Sequence, residues 1–200
     1  FLRVRIGKDG TVLDATPSTL APAPFTARPV TMAGGGGRAI AAWVDSGSVQ
    51  FVRFDDKGDA LDAKPVVIDK TDANGYTSWQ FPRVAASFDG KQSLIVWPSL
   101  SGSSTNLRGL LVGDGAPGAA FAVLDADGVQ RNPSAAWSGK VHLVAYTELD
   151  GGAPKIRVLR VDPTGKVLDA PKTVITGVPA HATSRVSWDG GAFVVTAIVG

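Results

Sequence analysis

The chain has no cysteine among its 200 residues, which excludes disulfides and thiolate metal sites. Its two histidines, His142 and His181, are too few for the usual nitrogen-rich metal cage, so no metal site is expected. Glu148 is the single glutamate. No apolar run reaches the eighteen or more residues that a spanning helix needs, so membrane insertion is not expected. The formal net charge is only +2 and the basic residues are scattered, a poor footprint for nucleic acid, which wants a clustered basic face. No stretch of twelve residues carries a convincing 3.6 periodicity, so strands dominate. The chain starts at Phe1 rather than Met, with no basic segment leading into an apolar stretch. The expectation is a processed product or a piece of something longer.

What is present is punctuation, with 24 glycines and 13 prolines spread throughout, and between them a repeat. One phrase, Arg-x-x-x-x-Gly-x-x-Leu-Asp-Ala, occurs around Arg5, Gly10 and Asp14, around Arg53, Gly58 and Asp62, and around Arg160, Gly165 and Asp169. A second is a turn followed by an apolar run ending in an aromatic: Asp89-Gly90 to Trp97 and Ser138-Gly139 to Tyr146. Gly36-Gly37 to Trp43 and Asp189-Gly190 to Ala197 are looser copies. Glycines 10, 58, 115 and 165 stand 48, 57 and 50 residues apart, the period of propeller blades and several other arrays.

Each repeat holds four strand candidates. In the unit around Trp97 they are Arg83–Phe88, Ser93–Trp97, Leu107–Val112 and about Ala119–Leu124, joined by glycine turns. The second strands (Ala39–Val44, Leu94–Trp97, Leu143–Tyr146 and Phe193–Val199) lack polar alternation, so both their faces must be covered. Stacked blades supply that environment. Pro17, Pro65 and Pro171 follow the Asp of the first phrase and mark an outermost, edge strand. The expected fold is all-β: a single-domain four-bladed β-propeller with repeats near 25–73, 74–126 and 127–179. A composite blade made of 180–200 and 1–24 would close the ring; in a fragment, the same halves would pair with a second copy.

The phrases Phe88-Asp89-Gly90…Leu94-Ile95-Val96-Trp97 and Arg160-Val161-Asp162…Gly165…Leu168-Asp169 resemble degenerate propeller repeats of secreted, multi-repeat bacterial proteins, in an Ala- and Gly-rich style similar to myxobacterial surface proteins. The likeness covers nearly the whole chain but lacks the Gly-His and Trp-Asp pairs of WD repeats. It implies an exported or cell-surface location and a role in recognition, and it carries over no catalytic residue.

With a two-residue loop at each repeat glycine, Arg5 faces Asp14, Arg53 faces Asp62 and Arg160 faces Asp169. Such cross-strand pairs contribute roughly 0.2–1 kcal/mol each, a structural role favoured over a ring of ligand-binding charges. In the degenerate repeat Leu110 and Ala119 stand near the matching positions. Asp125-Ala126-Asp127-Gly128 opens like a calcium loop, but Val129-Gln130-Arg131 lacks the acidic continuation, so a plain turn is expected. Glu148 and Asp150 show no feature that would split their roles into acid and base, leaving glycoside hydrolysis unsupported. Trp43, Trp97, Trp137 and Trp188 recur at equivalent positions and read as packing. Trp79 and Tyr76, in a polar connection beside Gln80, read equally as a grip on a sugar or peptide or as a plug over the next blade. The long second-to-third and fourth-to-first connections (Asp69–Phe81, Leu124–Asn132, Pro98–Thr105, Thr147–Lys155) share one face of the disc, where recognition usually sits. Candidate ligand-binding residues there are Tyr76, Trp79, Gln80, Asp127, Arg131, Glu148, Asp150 and His181. The expected function is a non-catalytic recognition module for a protein or glycan without cofactor; a structural segment of a larger assembly and a hydrolase-like propeller are the alternatives.

Overall fold

The computed structural model describes residues 2–19, 29–45, 47–70, 83–101 and 104–198. No helix occurs among them; sixteen strands carry the regular structure. An N-terminal hairpin comprises β1 (Leu2–Arg3) and β2 (Ser18–Thr19). Unit one follows with β3 (Thr31–Gly35), β4 (Arg38–Asp45), β5 (Ser48–Phe54) and β6 (Val66–Lys70). Unit two has β7 (Ala85–Phe88), β8 (Ser93–Ser101), β9 (Ser104–Val112) and β10 (Phe121–Leu124). Unit three has β11 (Val129–Trp137), β12 (His142–Leu149), β13 (Lys155–Val161) and β14 (Lys172–Thr176). A C-terminal hairpin, β15 (Thr183–Trp188) and β16 (Phe193–Ile198), completes the order.

Within every unit the strands pair antiparallel in chain order. Among the described residues backbone bonding between units is slight: units two and three share a single parallel bridge, Val129 to Thr105. Side chains supply the cohesion. On β4, Ile40, Ala42 and Val44 meet Ile95 and Trp97 of β8, while Ala41 and Trp43 join Val52 and Phe54 on the opposite face. On β8, Leu94 and Val96 turn instead to Val144 and Tyr146 of β12. On β12, Leu143 and Ala145 turn to Val186, Phe193 and Val195 of the C-terminal hairpin. A strand's period of two thus divides each unbroken apolar run between two interfaces, which is why these runs show no polar alternation. Full burial of each large apolar side chain contributes about 1.5–3 kcal/mol, so the second strands dominate the packing energy.

The pattern stops at β16. Phe193, Val195 and Ala197 pack inward, whereas Val194 and Ile198 on its outer face are 43% and 60% exposed. The expected composite blade is not formed as one sheet: β1–β2 and β15–β16 are separate two-stranded sheets. Each is anchored to its own neighbour. Arg5 donates to the Lys57 carbonyl and Arg3 pairs with Asp59 at 3.5 Å, holding the N-terminal hairpin to unit one. The Ala182 carbonyl accepts from Thr147 Oγ1 at 2.8 Å and from Asn132 Nδ2 at 3.0 Å, holding the C-terminal hairpin to unit three.

Two local expectations are also corrected. Pro98–Thr105 is mostly strand rather than loop: β8 and β9 stay in register through Pro98↔Leu107 and Leu100↔Thr105 to Ser101↔Ser104. Pro98 is accommodated because pairing with β7 stops at Val96, and among the described residues nothing continues the ladder on that side. The turns at the repeat glycines are one residue longer than expected. Gly10, Gly58 and Gly165 donate to the carbonyls of Gly7, Asp55 and Asp162, and they hold φ of 86°, 74° and 89°. This is a three-residue loop with a glycine bulge, because the left-handed residue follows the turn instead of lying within it. The extra residue brings Leu13, Leu61 and Leu168 opposite the arginines, with their N–H groups donating to the carbonyls of Arg5, Arg53 and Arg160. The aspartate beyond then folds its carboxylate back: Asp14 and Asp62 accept the backbone N–H of Arg5 and Arg53 at 2.7 and 2.8 Å.

Candidate functional site

The repeated arginines grip their own aspartates, with Arg5–Asp14, Arg53–Asp62 and Arg160–Asp169 at 2.6, 2.6 and 2.5 Å. The bond from Arg5 holds Asp14 below the usual carboxylate range, and the bond from Arg160 does the same for Asp169. Two of these guanidiniums also reach forward to the turn of the next unit. Arg5 Nη1 donates to the Lys57 carbonyl, and Arg53 Nη1 donates to the carbonyls of Gly113, Asp114 and Gly115 at 3.0, 2.9 and 2.7 Å. In unit two the arginine's place falls to Leu111 rather than the expected Leu110: Leu111 lies opposite Leu94, and its carbonyl accepts from the Gly118 N–H as that of Arg53 does from Leu61. This unit packs Phe121 against Gly165 of unit three, and Gln92 Nε2 donates to the Pro163 carbonyl at 2.5 Å. The donors of Arg5 and Arg53 are therefore spent on the protein itself.

A different set of residues surrounds a cavity of about 290 Å³ at which the first strands of all three units and β15 converge. Thr31 and Met32 (β3), Ala85 and Ala86 (β7), Ser134 and Ala135 (β11), and Val186 (β15) form its wall. Arg83 and Arg185 also line it, and among the described residues the lining includes no aspartate or glutamate. Pro29 and Arg83 stand just ahead of β3 and β7, so the cavity lies toward the end where the fourth-to-first connections enter. Burial pulls the Arg83 guanidinium below its ordinary pKa, and repulsion from Arg185 pulls the same way. Arg83 makes no hydrogen bond or ion pair among the described residues. Two like charges share a cavity whose described lining offers them no counter-charge.

Tyr76, Trp79 and Gln80 lie outside the described residues. The other expected ligand-binding residues do not converge on this cavity. Glu148 is buried, with Lys155 Nζ at 3.1 Å and Arg157 Nη1 at 3.0 Å, a clamp across β12 and β13. Asp150 takes the same lysine at 2.6 Å, which holds its carboxyl low. Both acids are thereby engaged by cations. Arg131 donates through Nη2 to the Ala180 carbonyl, and burial lowers its pKa. The Asp127 carbonyl accepts from Gln130 Nε2 at 3.0 Å within its turn, and His181 is exposed. His142 is fully buried: Nδ1 lies 2.7 Å from Ser87 Oγ and the ring packs 4.6 Å from Trp137. Sequence reasoning passed over Arg83 and Arg185. The available signal was positional. Counting from the glycine turn, Arg185 matches Ser134 and Ala85, so a long cation occupies a place otherwise held by small residues.

No protein-family model matches the chain, and no curated protein matches its sequence. Its fold has solved counterparts. A thermostable family-43 glycoside hydrolase superposes with a TM-score of 0.56 at 7% identity, covering 86% of this chain and 63% of that one. TolB from Acinetobacter baumannii gives 0.51 at 12% identity, covering 96% and 44%. A subtype N10 neuraminidase-like protein of A/little yellow-shouldered bat/Guatemala gives 0.50 at 11%, covering 79% and 48%. The fold is propeller-type. The chain spans less than two thirds of the length of each of these structures, and at such identities the likeness concerns fold alone.

Proposed function

We propose that this chain is a non-catalytic recognition module whose axial cavity receives a carboxylate-bearing ligand at the long-loop face. The observation that carries this reading is the placement of Arg83 and Arg185 around a cavity whose described lining holds no acid. A carboxylate between two guanidiniums would relieve their repulsion and accept charge-assisted hydrogen bonds from both. The small residues of β7 and β11 leave room for it. Acid–base hydrolysis needs two carboxylates flanking the substrate, and the described lining residues include none. The fold counterparts include a glycoside hydrolase and a neuraminidase-like protein, and an acidic sugar is the ligand we would test first. In the same reading the chain acts at a bacterial cell surface or outside the cell, and the two terminal hairpins together supply the strands of a fourth blade.

Calorimetric titration with oligogalacturonate, a neutral oligogalactose and an acidic peptide tests the proposal. Binding of the acidic sugar that weakens with salt and falls at least tenfold in Arg83→Gln and in Arg185→Gln is the expected result. Equal response to acidic and neutral sugars, or variants that bind like the parent, would refute it. A preference for the peptide would keep the cavity and replace the ligand class.

A further inference from the structure

Two of the seams between units are closed by the same contact. A guanidinium next to the turn of a third strand reaches the peptide carbonyls of the following unit's turn: Arg5 to Lys57, then Arg53 to Gly113, Asp114 and Gly115. Unit two, which has no arginine there, uses Phe121 and Gln92. Arg160 holds the equivalent place in unit three. It contacts Asp169 through Nε and Nη2, its side chain is 49% exposed, and among the described residues its Nη1 has no acceptor. The next turn in the series would follow β16. The apolar face beside it is open as well, at Val194 and Ile198, although the equivalent faces, Leu94 and Val96 on β8 and Leu143 and Ala145 on β12, are covered by the following unit or hairpin.

The same chain carries the complementary element. Its N-terminal hairpin begins on a third strand, has the turn Gly7–Gly10, and exposes Leu2, Val4 and Ile6 at 71%, 42% and 58%. That hairpin is fastened to unit one of its own chain and lies in a separate sheet from β16. From these observations we infer that the exposed edge and outer face of β15–β16 bind the N-terminal hairpin and unit one of a second copy of this chain. In that contact strand 2–6 of the incoming copy extends the sheet from β16, and unit one covers Val194 and Ile198. Arg160 Nη1 takes the carbonyls of the Gly7–Gly10 turn. The two unpaired strand edges are removed together.

This inference rests on the reading that the terminal hairpins make one blade, and it specifies that two chains contribute to that blade. Sedimentation equilibrium over a hundredfold range of concentration, with amide exchange of residues 2–6 and 193–198 measured in parallel, tests it. The expected result is self-association that grows with concentration, accompanied by protection of both segments. Ile198→Asp and Arg160→Glu, both on exposed positions, should each weaken association at least tenfold, while Arg83→Gln leaves it unchanged. A monomer with both segments protected would show closure within one chain, overturning the second copy and keeping the shared blade. A monomer with both segments unprotected would overturn both, as would association that neither variant weakens.

Discussion

His142 should make this protein lose stability in mild acid, before its carboxylates titrate. The ring is fully buried between Ser87 and Trp137, and burial lowers its pKa from 6.5 to about 4, with Asp89 and Asp162 opposing only weakly. The folded state therefore keeps the imidazole neutral while the unfolded chain takes up a proton as soon as the pH drops through 6.5. Stability is unaffected by this group above that value, declines between 6.5 and 4, and levels off below. One pKa unit corresponds to about 1.4 kcal/mol, so the full loss is about 3 kcal/mol, and about 2 kcal/mol is already lost at pH 5. Urea unfolding at pH 7.5 and pH 5 measures it, with His142→Gln as the non-titrating comparison. His142→Gln will be less stable at both pH values because it disturbs buried packing; the informative quantity is the difference between them. That difference should be about 2 kcal/mol in the parent and should largely vanish in His142→Gln. Equal pH dependence in the two proteins would refute the reasoning.

Further outcomes follow from the packing between units. Arg53→Lys keeps the charge but loses the fork that joins Asp62 to three carbonyls of unit two, and should cost about 1–3 kcal/mol in urea unfolding. Arg160→Lys, whose guanidinium holds Asp169 alone among the described residues, should shift the midpoint less; a larger shift would contradict this ranking. Gly165→Ala places a methyl 3.0 Å from the Phe121 ring at φ 89°, whereas Gly139→Ala, at φ 91°, meets open space. Both should destabilise by about 1 kcal/mol or more, and thermal unfolding should rank Gly165→Ala clearly the worse. Tyr146 buries a hydroxyl with no partner among the described residues, so Tyr146→Phe should be neutral or stabilising by up to about 1 kcal/mol. A loss above 1 kcal/mol in calorimetric unfolding would indicate an ordered water on that hydroxyl.

The fold was legible where one local rule acts without competition. Apolar runs such as Leu94–Trp97 announced two covered faces because strand geometry leaves no other way to hide both sets of side chains. The strands of unit two appear close to where turns and periodicity place them. Turn length was less legible, since a glycine at positive φ serves a two-residue and a bulged three-residue loop equally well; only the bond from Gly58 to the Asp55 carbonyl tells them apart. The cavity was hardest to foresee. Arg83 and Arg185 lie about a hundred residues apart in sequence, and their proximity arises only when separate units gather their first strands. Glu148 drew attention as the lone glutamate, yet rarity does not reveal that Lys155 and Arg157 sit beside it on the next strand.

Because the forward-reaching arginines bind main-chain oxygen, they are indifferent to which side chains the adjoining loop displays. Asp55-Asp56-Lys57-Gly58 and Gly113-Asp114-Gly115 share little as text, but both present carbonyls to the same kind of fork. Loop residues can therefore drift freely while the seam between modules keeps its geometry. A duplicated or transplanted module would arrive already able to join its neighbour.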